Sequence, residues 1–168
     1  THTDSFLDEA VDSVLQQTFK NWKLLIGVNN YPHNPSLPEK IKNKLPSDDR
    51  IHLHLLKDCT SKSQALNELI DRCQTEWASL LDSDDLWLPS KLEKQAPLTE
   101  TYDVIGTQCF YFGTGLTTGM PNQPHLPLGD INPSSFFDNN PIINSSAVFK
   151  ASDGNWDPLV EGVEDYDM

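Results

Sequence analysis

Asp82, Asp84 and Asp85 put three carboxylates within four residues, directly after the mostly apolar run Ala78-Ser79-Leu80-Leu81. A run of that kind fills a buried strand. Carboxylates this close repel one another, and a fold holds them together only where a cation or hydrogen-bond donors neutralise them. At the carboxyl end of a strand they stand where open α/β sheets bind ligands. Hard oxygen ligands suit Mg²⁺ or Mn²⁺, with the remaining coordination left to water and substrate phosphate. The plain alternative is a solvated acidic turn, but the preceding strand and the following Leu86-Trp87-Leu88-Pro89 step favour a site. An EF-hand-like calcium loop does not fit, because Leu86 and Trp87 occupy positions that need an oxygen ligand and a glycine.

The elements that must position this turn can be read in order. Asp4 or Ser5 is expected to cap a helix with Phe6, Leu7, Ala10, Val11, Val14 and Leu15 as its apolar stripe, closing at Asn21-Trp22. Lys23–Val28 reads as a buried strand and 29–35 as the loop at its carboxyl end. A short helix over Pro38–Lys44 and a strand over Ile51–Leu56 follow, with His52 and His54 on the wetter face of an edge strand rather than at a metal. Thr60 or Ser61 starts a helix buried through Ala65, Leu66, Leu69 and Ile70, and the acidic strand and a helix near Ser90 come next. Helix and strand alternate throughout, which calls for a parallel sheet covered on both faces. The first helix has no strand before it, so the sequence is expected to begin late, after a strand it does not contain. Farther on, Asp103–Phe112 and Pro141–Phe149 are β-prone, and Gly113–Pro133 is a long loop rich in proline and glycine.

Composition excludes several classes. The 168 residues make about one domain, and 12 basic against 25 acidic side chains give a net charge of −13. Nucleic acid is a poor partner for such a surface. No apolar span is long enough to cross a membrane. Cys59, Cys73 and Cys109 are odd in number and lack C-x-x-C spacing, which argues against a disulfide framework and for a reducing compartment. A cytoplasmic setting is expected, with any membrane association supplied by parts outside this chain.

Taken together, Phe6–Ile26, Ser61–Asn67, Leu80–Leu92, Asn144–Lys150 and Val163–Met168 resemble the family-2 glycosyltransferases of the GT-A fold. The Q-T-F-K-N-W and L-D-S-D-D-x-W-x-P pieces, in that order, carry most of the likeness. The resemblance implies an α/β, Rossmann-like three-layer sandwich with a mostly parallel central sheet. It makes residues 1–168 a single domain, with a nucleotide-binding half over 1–95 and an acceptor-binding half over 96–168. The chain would be a fragment of a longer polypeptide. The activity implied is inverting transfer of a sugar from a nucleoside-diphosphate sugar, with UDP as the expected nucleotide, to a hydroxyl acceptor on a glycan or related molecule.

Residue by residue, the resemblance sets Thr1 beside the nucleoside and Asp82 toward the ribose. Asp84, with Asp82, would ligate the Mn²⁺ or Mg²⁺ that bridges the diphosphate, and Asp85 would orient the sugar or a metal-bound water. Asn29 and Asn30 stand where the family usually has paired aspartates, and an asparagine carbonyl still accepts from a pyrimidine N–H. Leu66 replaces an arginine common near the nucleotide, leaving Lys62 as the nearby cation. Glu164-Asp165 matches the family's Glu-Asp pair, with Asp165 as general base and Glu164 on the acceptor side; helix capping is the structural alternative for both. Asn144, Ser145, Trp156 and Asp157 are further acceptor-side candidates, Trp156 doubling as a core candidate. A non-catalytic GT-A-like module that binds sugar or nucleotide within a larger protein is the second reading. A dehydrogenase-type nucleotide fold fits poorly, because no G-x-G-x-x-G occurs.

Overall fold

Hydrophobic periodicity governs the first half of the chain. A computed structural model describes residues 6–29, 31–113, 124–137 and 140–159. Helix α1 (Leu7–Leu15) buries Leu7, Ala10, Val11 and Val14 and carries Asp8 and Glu9 in its first turn, where the helix dipole favours acids. It ends well before Asn21. Gln17 explains the stop: its fully buried amide donates to the Ser13 carbonyl (3.1 Å) and the Leu88 carbonyl (2.9 Å) and accepts from the Leu92 N–H (3.1 Å). Those bonds, and Thr18 N–H on the Pro89 carbonyl at 2.8 Å, pull the chain off the helix axis and onto the segment that follows the acidic turn.

Strands β1 (Leu24–Asn29) and β2 (Ile51–Leu56) pair in parallel from Leu24↔Ile51 to Asn29↔Leu56, joined through helix α2 (Leu37–Lys44). Alternate side chains divide between the two faces. Leu24, Ile26 and Val28 with Ile51 and Leu53 meet Leu7, Val11 and Ile41 on the α1/α2 side. On the other side Gly27 lies under helix α3 (Lys62–Ile70), so close that an added Cβ would sit 2.8 Å from Leu56 Cδ1 and 3.0 Å from Leu69 Cδ1. Of the two histidines on β2, His52 is exposed, whereas His54 is half-buried with Nε2 enclosed and without a hydrogen-bond partner.

The second half is built from shorter strands. In order β3–β5–β4, strand β5 (Val148–Lys150) runs antiparallel between β3 (Trp77–Ser79) and β4 (Val104–Ile105). The β-prone stretches therefore contribute less strand than expected: 106–112 is irregular, and 144–146 is a 3-10 turn that leads into β5. A second core of Ile142, Ala147, Phe149 and Trp156 takes in Leu66 and Ile70 from α3, so α3 packs against both parts of the molecule. A short helix, α4 (Lys91–Gln95), follows the acidic turn. Its Gln95 is buried and donates through Nε2 to the carbonyls of Ile105 (2.8 Å) and Ser146 (2.9 Å). Among the described residues no helix is long and apolar enough to cross a membrane. The three cysteines are free thiols.

Candidate active site

Three chain ends meet around the acidic turn: the carboxyl end of β1, the amino end of α3 and the segment after β3. Asn29, last residue of β1, donates through Nδ2 to the Ser61 carbonyl at 3.1 Å. Ser61 is the N-cap of α3 and forms a reciprocal capping box with Gln64, which fixes the start of the helix. The next residue, Lys62, reaches the Asp82 carboxylate at 3.0 and 3.2 Å. Thus Asn29, Lys62 and Asp82 belong to one neighbourhood although they are far apart in sequence.

The turn itself closes through the Asp85 N–H on the Asp82 carbonyl at 3.1 Å. Asp82 N–H donates to the Ser145 hydroxyl at 3.0 Å, and the Asp85 side chain also bonds Ser145. Burial raises the Asp85 carboxyl above the ordinary carboxylate range, the charges of Asp82 and Asp84 add to the rise, and Ser145 and Lys62 oppose it. Asp84 is exposed and makes no ion pair among the described residues. The segment after β4 passes close by, since burial first and the Asp85 charge second push the Cys109 thiol up.

The donor set fits a shared metal rather than a caged one. Among the described residues no group of three or more His, Cys, Asp or Glu side chains converges as a ready cage. Mg²⁺ and Mn²⁺ at phosphate sites are commonly held by one or two carboxylates, with phosphate and water completing the shell. Exposed Asp84 and half-exposed Asp82 offer such a pair, and a cation there would relieve the repulsion that adds to the effect of burial at Asp85. The Lys62–Asp82 pair does not block this arrangement. An exposed pair is worth about 1 kcal/mol or less, so Lys62 can turn to a phosphate at small cost.

Other sequence candidates fare differently. Trp156 is 1% exposed, packs edge to face on Phe149 with centroids 6.1 Å apart, and exchanges backbone bonds with the Asn67 side chain. Its expected role against an acceptor gives way to a core role, because no ring face is left for a sugar. Asn144 is likewise buried, with Nδ2 unpartnered, and its neighbour Ser145 supports the acidic turn. Leu66 fills the second core. Asp157 is exposed and lies at the end of the described chain. Thr1, Asn30, Glu164 and Asp165 lie outside the described residues.

Two residues take parts that the sequence reading did not assign. Trp87 spans the site, its Nε1–H donating to the Ser145 carbonyl at 2.7 Å and its backbone N–H to the Ser13 hydroxyl at 3.2 Å. Lys91, only 8% exposed, lies 4.1 Å from the centroid of the Trp87 ring and donates to the Ser79 hydroxyl at 3.1 Å. A signal existed: a cation at the first position of a helix opposes the helix dipole and calls for another reason to be there.

The fold defined by these elements is that of the GT-A glycosyltransferases. The crystal structure of S. aureus TarS 1-349 in complex with UDP superposes on this chain with a TM-score of 0.66, at 15% identity, over 98% of this chain and 50% of that one. Residues 3–155 match the family described as Glycosyl transferase family 2, and the chain belongs to that family. It is 30% identical over 106 residues to the O-antigen biosynthesis glycosyltransferase WbnJ of Escherichia coli, covering 62% of this chain and 41% of that protein. With the UDP-Glc:alpha-D-GlcNAc-diphosphoundecaprenol beta-1,3-glucosyltransferase WfgD of Escherichia coli it shares 32% over 89 residues, covering 53% of this chain and 34% of that protein. The chain thus spans less than half the length of either relative.

Proposed function

We propose that this domain transfers a sugar from a nucleoside-diphosphate sugar, with UDP as the nucleotide, to a hydroxyl acceptor, inverting the anomeric carbon. The observation that carries this reading is the meeting of Asn29, Lys62 and the Asp82–Asp85 turn at one rim of the fold. The UDP in the TarS structure and the UDP-Glc in the name of WfgD support the choice of nucleotide.

Each group has a task in this scheme. With its amide nitrogen committed to Ser61, Asn29 keeps a carbonyl oxygen to accept an N–H from a pyrimidine base. Asp82 and Asp84 are the residues that would hold a divalent cation beside the diphosphate, and Lys62 would add a positive charge there. When bound, Mn²⁺ or Mg²⁺ offsets the charge that grows on the departing diphosphate oxygen. Across the sugar, Asp165 takes the proton of the acceptor hydroxyl as its oxygen bonds to C1 and the bond from C1 to the diphosphate breaks. A base so placed contributes roughly 10²–10⁴-fold in rate. The family resemblance gives Glu164 a role toward the acceptor, and Thr1 and Asn30 roles toward the nucleoside.

Melting temperature followed under added Mn²⁺ and UDP tests the reading. The expected result is a stabilisation that needs both additions and disappears in Asp84→Ala. No response to any nucleoside diphosphate contradicts it. One observation favours a second reading, a binding module without catalysis: Leu66, at the position where the family resemblance expects an arginine near the nucleotide, is half-buried against the second core. Slow, metal-dependent release of free sugar from the donor indicates an active centre, whereas binding without release indicates the module.

A further inference from the structure

Lys91 is the buried charge that the proposed mechanism does not use. It stands at the start of α4, at the end where the helix dipole disfavours a cation, and water hardly reaches it. A buried amine with few partners costs stability, and an apolar side chain of similar volume would cost less. Its surroundings nevertheless give it two contacts. Nζ lies over the Trp87 ring at 4.1 Å and donates to the Ser79 hydroxyl at 3.1 Å. Both contacts lead to the same short segment. The Ser79 hydroxyl donates to the Ala147 carbonyl at 2.6 Å, and Trp87 Nε1–H donates to the Ser145 carbonyl at 2.7 Å. Ser145 in turn accepts the Asp82 N–H at 3.0 Å.

We propose that Lys91 is a positioning residue for the acidic turn, holding the Trp87 indole and β3 against residues 145–147 so that Ser145 fixes Asp82 and Asp85. The effect runs through Trp87 and Ser145 rather than through charge. Lys91 forms no ion pair with Asp82, Asp84 or Asp85 among the described residues. A ring alone would leave the indole free to tilt, and a 2.7 Å bond to Ser145 tolerates little tilt. Stacking a cation on one face of the indole supplies the restraint. This inference rests on the donor-site reading for its consequence in binding, but not for the structural link itself.

The test uses Lys91→Met and Trp87→Phe, with two readouts on each. Hydrogen exchange followed by NMR reports the Asp82 amide in both variants and the Trp87 indole N–H in Lys91→Met; titration with Mn²⁺ plus UDP reports affinity. In Lys91→Met both protons are expected to lose about tenfold or more of their protection, and affinity for Mn²⁺–UDP to fall by about tenfold, the scale on which groups behind a metal ligand act. Trp87→Phe, which keeps a ring but removes the N–H, should lose Asp82 protection in the same way. The double variant should be no weaker than the worse single one, because both act through one link. Wild-type protection of Asp82 in either folded variant overturns the proposal, as do losses in affinity that simply add. If Lys91→Met does not fold, Asp82 protection in Trp87→Phe decides. If the wild-type protein binds no Mn²⁺–UDP, the donor-site reading fails, while the exchange rates still judge Lys91.

Discussion

The two halves of this molecule solve different problems with different materials. Around β1 and β2 the central cluster is apolar, built on Leu7, Val11, Val28 and Ile41, and the buried Ser13 and Gln17 of that half stand where α1 meets the segment after the acidic turn. Around β3, β5 and α4 the enclosed set includes Lys91, Gln95, Asn144, Ser145 and Ser146 beside Phe149 and Trp156. Burying polar groups costs free energy unless each is satisfied, so a purely stabilising core has no use for them. They are concentrated behind the carboxylate turn, where a defined geometry matters more than an extra increment of stability. One half provides a platform; the other orients side chains upon it.

That contrast can be challenged, beginning with the largest effect. Trp156→Ala should cost about 3–5 kcal/mol of stability, since it removes a buried indole and its edge-to-face partner. Chemical denaturation measures the loss. A variant that keeps its stability and loses only acceptor affinity would return Trp156 to the binding surface.

The next effect is a dependence on pH. Burial lowers Lys91 from 10.5 to about 7. Between those values the unfolded chain binds a proton that the folded chain does not, so stability rises as pH goes from about 7 to about 10.5. The slope is at most about 1.4 kcal/mol per pH unit. The face of Trp87 favours the ammonium and narrows the window from below. Lys91→Met should flatten this part of the stability profile; an unchanged slope would remove Lys91 as its source.

The smallest effect belongs to the first half. Arg50 stacks on Trp22 at 3.8 Å and pairs with Asp48 at 2.6 Å, holding that carboxyl at about 2. The contribution is present above the ordinary value of 3.8 and fades as pH falls toward 2. Because the pair is solvent-screened, Arg50→Ala should shift the melting point only slightly at neutral pH. A large shift would mean that the platform also depends on polar contacts, and the contrast between halves would weaken.

The same difference explains what could be read from the sequence. Ile51–Leu56 is a strand at its expected bounds, and Ser61 caps α3 as one of the two residues proposed for it. Periodicity and capping are local, and local patterns survive in a linear reading. The end of α1 was not legible, because Gln17 obeys Leu88 and Leu92, partners more than seventy positions away. Nor was the shortness of β5, whose preceding turn at Asn144–Ser146 faces Asp82, Trp87 and Gln95 rather than a neighbouring strand. At the site, Asp82 and Asp84 stood out by charge and spacing, and Lys62, singled out through the family resemblance, meets Asp82. Trp87 and Ser145 stood out in the sequence, but not as each other's partners or as the support of Asp82, since an indole and a hydroxyl disclose their partners only in three dimensions.

The central claim is that the carboxylates after β3 take a nucleoside diphosphate through a divalent cation. Paramagnetic broadening of backbone amide signals by Mn²⁺, recorded with and without UDP, tests it most directly. Broadening that strengthens with UDP and centres on Asp82–Asp85, reaching Asn29 and Lys62, is the predicted result. Broadening centred elsewhere, for example on His52 and His54, or indifferent to UDP, would contradict it.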